Sequence, residues 1–209
     1  MPSKFAMSSA KAKSAKDLFQ TEMFVGGTGA GSPVTQTPRL MANLLGMKMK
    51  LVEGYTKPQD AILAMERGEL EAVCQTIQSF RQARPGWLES GKAFVVFITE
   101  RERVAGLDAP SIFEFTTTDE QREIIAYYNS SAELGRPIML PPDVPQARVK
   151  MLREAFMETM RNPEFLKEAK QLNYTVSPRS GEVLAGIIEA TMNTPPHLIE
   201  KTAKLTGAP

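Results

Sequence analysis

The chain has 209 residues, of which 42% are hydrophobic and 23% charged, and its formal net charge is +1. These values are typical of a folded globular protein with one large domain or two small lobes, and they argue against disorder or a coiled coil. No run of about 20 apolar residues is present, so the sequence predicts no membrane span.

Cysteine and histidine occur once each, as Cys74 and His197. A single cysteine excludes an intramolecular disulfide, and these two residues cannot build a zinc site from several Cys and His ligands. Cys74 lies in an apolar stretch, which favours a small buried side chain over a nucleophile paired with His197. The sequence therefore predicts no cofactor and no metal.

The first 16 residues are rich in Lys, Ser and Ala, and we predict a flexible N-terminal segment over 1–16. Basic residues without interleaved aromatic residues do not indicate nucleic-acid binding. The stretch Met1–Gln20 also lacks the apolar centre of a signal peptide. Taken alone, the chain is therefore expected to be cytoplasmic.

The first half alternates predicted strands with helical patterns. Apolar runs predict strands at 23–25, 70–74 and 93–99, and the alternation of Met and Lys predicts a strand with one buried face at 47–52. Thr56 has the spacing of a capping box that opens a helix ending at Gly68, and residues 80–90 are predicted as helical or irregular around Pro85. This order predicts an α/β lobe, over residues 17–135, with a mainly parallel sheet.

The second half changes character after a helix that Thr118 is expected to cap. Residues 135–145 hold four prolines, so an extended segment is predicted there. Residues 146–206 read as four short amphipathic helices without a strand, with Asn162, Ser180 and Thr194 near three of their starts.

A glycine-rich loop, residues 26–32, lies between the first of these strands and a helix. Glycines allow bare backbone N–H groups to approach a ligand, and a helix start adds unpaired donors and the positive end of its dipole. Together they predict a site for a phosphate or carboxylate. The residues we expect to bind it are Thr28, Gly29, Ala30, Gly31 and Ser32.

The start of the helix after this loop has two interpretations. Ser32 and Pro33 form a good N-cap pair, but Pro38 would then lie inside the helix at a cost of about 3 kcal/mol. The helix could instead begin at Thr37-Pro38. The loop itself also has a purely structural alternative, a glycine turn between strand and helix. It matches neither the P-loop nor the dinucleotide-binding pattern.

Two further candidate ligand residues follow strand ends, where α/β sheets place ligand contacts. Tyr55 could face the ligand or pack against the sheet edge, and Gln75 could face the same cleft or begin a loop. The carboxylates of Glu66, Glu69 and Glu71 are interpreted as a solvated rim.

An ordered set of short motifs resembles the solute-binding receptors of tripartite tricarboxylate transporters, often called Bug proteins. The set runs through 24–32, 44–46, 54–55, 64–69, 135–137, 141–145, 152–156 and 162–165. The resemblance covers about residues 15–205. Each motif alone is weak, and it is their order that makes the resemblance specific.

This resemblance implies a type 2 periplasmic-binding-protein fold and a receptor rather than an enzyme. Two lobes would close on a small carboxylate metabolite, held at residues 28–32, and the receptor would deliver it to a membrane permease. By resemblance the protein is periplasmic. Residues 17–135 would be the second lobe, and 136–209 a crossover with helices that cover the first.

The sequence departs from the family pattern because neither a secretion signal nor the first lobe is present. We therefore expect a truncated receptor with weakened ligand binding, in which uncovered apolar faces favour self-association or disorder. Two other functions stay open from the residues alone. They are an α/β enzyme that uses the glycine loop for an anionic substrate and an interaction module that binds no ligand.

Overall fold

The computed structural model describes residues 4–7, 12–104, 106–172, 174 and 176–207, and of residues 4–7 only the backbone. Within these ranges the chain forms five strands and eight α-helices, besides 3-10 turns at Ala15–Phe19 and Ile112–Phe115. The strands are β1 Lys4–Met7, β2 Met23–Gly26, β3 Met49–Val52, β4 Ala72–Gln75 and β5 Phe94–Ile98. The helices are α1 Pro33–Leu45, α2 Pro58–Glu66, α3 Ile77–Ala83, α4 Asp119–Leu134, α5 Gln146–Thr159, α6 Pro163–Gln171, α7 Gly181–Met192 and α8 Pro196–Thr206. None of these helices is long and apolar enough to cross a bilayer.

The five strands form one sheet in the order β3-β2-β4-β1-β5. Strand β2 is parallel to β3 and to β4, whereas β1 is antiparallel to both β4 and β5. Strands β2 to β5 therefore all run in one direction and only β1 opposes them. The predicted α/β fold with a mainly parallel sheet is confirmed, with each of the four predicted strands present within two residues of its expected limits.

Helices cover both faces of this sheet. Along β4, Ala72 and Cys74 belong to the apolar cluster that contains Met41 of α1. Val73, which points to the other face, belongs to the cluster that contains Ile62 of α2. The continuous apolar run at 93–99 predicted a strand covered on both faces, and β5 lies there.

The N-terminal segment differs from its prediction. Instead of belonging to a flexible tail, residues Lys4–Met7 pair with β4 on one side and β5 on the other. Residues 15–19 form a short helical turn in which the Asp17 carboxylate accepts the N–H of Lys13 and Ser14. Four residues are too few to show a period, and the partners of β1 lie far along the chain. Residues 1–3 and 8–11 of the predicted tail lie outside the described residues.

Helix starts follow the local capping signals, with two corrections. Asn162 and Ser180 cap α6 and α7, and Thr118 accepts the N–H of Gln121 at the start of α4. Helix α2, however, begins after Lys57 rather than Thr56, because the Asp60 carboxylate accepts the Lys57 N–H at 3.0 Å. Helix α8 begins after Pro195, one residue beyond the expected Thr194.

The chain divides into two compact units, residues 1–132 with 194–209 and residues 133–193. This differs from the predicted boundary at 135–136, because α8 belongs to the unit that holds the sheet. Leu198 of α8 lies in the same cluster as Met41 of α1. Two side chains of α1 also bind carbonyls at the end of α8, Arg39 to Thr206 at 3.1 Å and Asn43 to Leu205 at 2.8 Å.

The second unit contains helices α5, α6 and α7, in line with the predicted short amphipathic helices. Neither α5 nor α7 has a fully buried residue. The extended segment before them exposes Ile138 by 78% and Met139 by 80%. That these helices cover another lobe stays a prediction.

Gly26 provides a test of how tightly the helix α2 packs on the sheet. A Cβ at Gly26 would lie 2.6 Å from Leu70 Cδ1 and 2.8 Å from Ala61 Cβ. We expect Gly26→Ala to lower the free energy of unfolding by about 1–3 kcal/mol, because the core must shift to admit the methyl group. Urea unfolding followed by circular dichroism would measure this.

The matched control is Gly29→Ala in the same loop. A Cβ there meets nothing within 4 Å, and its φ lies outside the left-handed region. We expect a change within about 0.5 kcal/mol. Equal losses in the two variants would contradict the packing argument.

Candidate functional site

The glycine-rich loop divides into a packed part and an open part. Gly26 ends β2, and the Gly27 N–H donates to the Val52 carbonyl at 2.9 Å. A Cβ at Gly27 would lie 3.0 Å from Thr35 Oγ1 and 3.3 Å from Glu53 Cγ. These two glycines are therefore explained by packing, as the structural alternative for the loop expected.

The open part runs from Thr28 to Gly31. Their four backbone N–H groups donate no hydrogen bond within the described part of the chain. Gly29 and Gly31 are exposed, have no left-handed φ and would tolerate a Cβ without contact. No backbone or packing constraint among the described residues requires glycine at these two positions.

Helix α1 begins directly after this loop, which decides between the two predicted starts. Ser32 is the N-cap, and its side-chain oxygen accepts the Val34 N–H at 3.3 Å, with Pro33 at the first helical position. Pro38 lies inside the helix and is buried. Because the Ser32 amide itself donates to the Gly29 carbonyl at 2.9 Å, its N–H is not a spare donor.

A cleft of about 460 Å³ opens at the carboxyl edge of the sheet, between the starts of three helices and the last turns of α4. The lining comes from the first turns of α1 and α2, from the end of β4 and the start of α3, and from α4. Strand β2 connects to β3 on one side while β4 lies on its other side, so the cleft is at the point where the strand order reverses. In open α/β sheets this is the place where ligands bind.

Of the predicted site residues, Gln75 lines this cleft, whereas Thr28 to Ser32 are not among its lining residues. Gln75 ends β4, is 7% exposed, and its amide nitrogen Nε2 has no hydrogen-bond partner in the described ranges. A buried amide nitrogen without an acceptor is destabilising, by about 1–3 kcal/mol.

A hydrogen-bonded group of three side chains forms the wall beside Gln75. The hydroxyls of Thr37 and Tyr128 lie 2.9 Å apart, and the Thr37 side chain also bonds Cys74. Burial raises the pKa of Cys74 to about 12, and burial likewise raises the pKa of Tyr128 to about 12. Both groups are therefore protonated and neutral at physiological pH.

Asn129 fixes the neighbouring turn of α4, because its buried amide donates to the Thr99 carbonyl at 2.6 Å. This bond joins α4 to the end of β5. It thereby sets the position of Tyr128 and Ser131, which line the cleft.

Tyr55 lies elsewhere. Its side chain packs against the apolar cluster around Ile62 and Met65 of α2, and it is not among the residues that line the cleft. Burial, with a smaller effect from Glu69, raises the pKa of Tyr55. The structure thus favours the alternative in which Tyr55 packs at the sheet edge.

The cleft offers little for acid–base chemistry. Among the residues that the structure describes, its lining includes no charged side chain. The Cys74 thiol is held in its protonated form, which is a poor nucleophile. Within the described residues, no three His, Cys, Asp or Glu side chains come together as metal ligands. What the cleft does supply is neutral hydrogen-bond donors and helix starts, the components of an anion site.

A second cleft, of about 500 Å³, lies within residues 133–193. Its walls are mostly apolar, with Phe156, Met160, Phe165 and Leu172 among them. It contains few polar groups to orient a small anion.

Three cleft residues were not predicted from the sequence. Thr37, Tyr128 and Asn129 come from α1 and α4, and the bond between Thr37 and Tyr128 joins residues 91 positions apart. The sequence signal available for Thr37 and Tyr128 was the helical pattern around each of them. No local motif marks them as cleft residues.

Comparison with known proteins shows similarity only at the level of structure. No protein-family model matches the chain, and no curated protein sequence matches it. Solved structures do match, at 16–18% identity. Such identity shows a shared fold, and the fold is that of the periplasmic binding proteins.

Three of these structures are solute-binding or ligand-bound proteins. A TctC solute-binding protein from Polaromonas, solved without ligand, matches with a TM-score of 0.68 and 16% identity over 96% of this chain. A protein from R. palustris solved with adipate matches with a TM-score of 0.57 and 16% identity over 99%. MatC from Rhodopseudomonas palustris with bound malate matches with a TM-score of 0.55 and 18% identity over 99%. The chain spans 66%, 65% and 66% of these three structures.

The burial of the Cys74 thiol in the cleft wall predicts how the stability of the fold depends on pH. The unfolded thiol loses its proton near pH 9.0, whereas the folded one keeps it to about pH 12. Above pH 9 the unfolded state therefore binds fewer protons, and stability must fall as the pH rises. The contribution from Cys74 approaches about 1.4 kcal/mol per pH unit between these values.

We expect Cys74→Ala to make this alkaline loss shallower, as measured by urea unfolding at several pH values from 8 to about 11. Comparing slopes removes the constant effect of the lost sulfur on packing. Tyr128→Phe should flatten the slope as well, but only above pH 10.0, the ordinary value for tyrosine. Identical slopes in Cys74→Ala and the parent chain would show that the thiol is not held protonated.

Proposed function

We propose that this chain is a solute-binding receptor of the tripartite tricarboxylate transporter type, which binds a small carboxylate without chemical change. The observation that carries the proposal is the buried, unpartnered Nε2 of Gln75 in the cleft at the strand ends. The free N–H groups of Thr28 to Gly31 and the capped start of α1 support it. All of these groups attract an acceptor with negative charge.

The ligand class follows from the same groups. They are donors rather than acceptors, so a carboxylate suits them better than an amine or an ammonium group. Two structures with this fold hold malate and adipate, which are both dicarboxylates. We propose a small dicarboxylate as the ligand. Delivery to a membrane permease, and a periplasmic location, complete the proposal by analogy with the transporter family.

Binding can be tested by calorimetry and thermal unfolding of the full chain with malate and adipate, and with succinamide as an uncharged comparison. A ligand that binds only the folded state adds RT ln(1 + [L]/Kd), so a tenfold excess over Kd raises stability by about 1.4 kcal/mol. We expect an upward shift of the unfolding temperature with the dicarboxylates and none with succinamide.

Gln75→Glu should weaken malate binding by at least about tenfold, since it removes the donor and places a carboxylate beside the ligand. Gln20→Glu is the matched control. It makes the same charge change at an exposed position just before β2, at the opposite edge of the sheet. Its affinity should equal that of the parent chain.

The outcomes separate the alternatives. Equal weakening in both variants would mean that net charge, not Gln75, determines binding. A cooperative unfolding transition whose temperature no carboxylate shifts would contradict the receptor proposal. An oligomeric size that then rises with protein concentration would favour the interaction module.

A further inference from the structure

A carboxylate lies at the base of the glycine loop. Glu53 directly follows β3, and its Cγ is 3.3 Å from where a Cβ at Gly27 would be. Gly27 is followed immediately by Thr28, the first of the four free N–H groups. Glu53 therefore lies beside Gly27, one residue before the segment that would hold an anion. A like charge placed well inside the Debye length opposes anion binding.

Arg39 of α1 neutralises this carboxylate. Its Nη2 donates to Glu53 Oε1, while its Nη1 donates to the Thr206 carbonyl at 3.1 Å. The second bond anchors the guanidinium at the end of α8, and only 21% of the Arg39 side chain is exposed against 41% of Glu53. Because two partners hold it, the cation stays beside Glu53 rather than sampling solvent.

We propose that Arg39 is a positioning residue for ligand binding, which acts through Glu53 and never touches the ligand. The partial positive charge at the start of α1 is about half an elementary charge, so an uncompensated Glu53 would outweigh it. By pairing Glu53, Arg39 leaves the helix start and the free N–H groups to attract the carboxylate. The inference rests on the proposed function of the cleft.

The test is a double-mutant cycle on malate affinity, measured by calorimetry on the full chain at low ionic strength. Arg39→Met should weaken binding by about threefold to tenfold, because it exposes the loop to the Glu53 charge. Glu53→Gln should tighten binding by a similar factor. The double variant Arg39→Met/Glu53→Gln should return to within about twofold of the parent chain. At about 1 M salt the differences should shrink towards zero.

Asn43→Ala is the matched structural control. Asn43 lies one turn further along α1 and also anchors the end of α8, through the Leu205 carbonyl, but carries no charge. We expect it to lower the unfolding temperature as Arg39→Met does, and to leave malate affinity unchanged.

Two results would contradict this inference and leave the proposed function in place. One is equal affinity in Arg39→Met and the parent chain. The other is a double variant as weak as Arg39→Met, which would show that the loss comes from the α8 anchor. A parent chain that binds no malate and no adipate would instead remove the proposed function, and this inference with it.

Discussion

Burial of β4 on both of its faces is the constraint on which the rest of the sheet-bearing unit depends. All four residues Ala72–Gln75 are buried. Alternate side chains must therefore meet a helix above and a helix below the sheet, and α1 and α2 fill these two places. A right-handed crossover on each face returns the chain to the same edge, so the starts of both helices meet at the carboxyl ends of the strands. The cleft therefore forms because helices cover both faces of β4.

The same constraint explains why Gln75 is left without a partner. It is the last residue of a strand that has helices on both faces, so its amide cannot reach bulk water. Two hydroxyls of the cleft are engaged elsewhere, since Thr76 caps α3 through Ser79 and Tyr128 bonds Thr37. Buried polar groups without partners are rare in native proteins and mark sites where another group is expected.

Much of the fold could be predicted because its elements carry local signals. Strands buried on both faces are continuous apolar runs, and the caps at Ser32, Asn162 and Ser180 depend on residues only two or three positions away. The start of α1 was ambiguous because two local contributions to its stability oppose each other. The favourable N-cap at Ser32 with Pro33 outweighed the cost of Pro38 inside the helix. Strand β1 was missed for the opposite reason, since its pairing with β4 and β5 is entirely long-range.

The site was less predictable, because its parts are defined by three-dimensional neighbours. Gln75 and Tyr55 both follow strands, yet only Gln75 enters the cleft, while Tyr55 finds an apolar surface on α2. The glycine loop also divides into two structurally different parts. Gly26 and Gly27 face helix α2, the Thr35 hydroxyl and Glu53, whereas Gly29 and Gly31 face open space.

This division of the glycine loop changes what the motif means. A glycine that packing requires is needed by any α/β fold with a close strand–helix approach, so it carries no information about a ligand. A glycine that neither φ nor packing requires costs stability through the entropy of the unfolded chain. In the proposed receptor, contact with the ligand would therefore fall to residues 28–31, although the sequence displays the glycines as a single run. The charged pair of Arg39 and Glu53 lies behind the packed half, where it can tune the potential of the open half without occupying the space that a ligand needs.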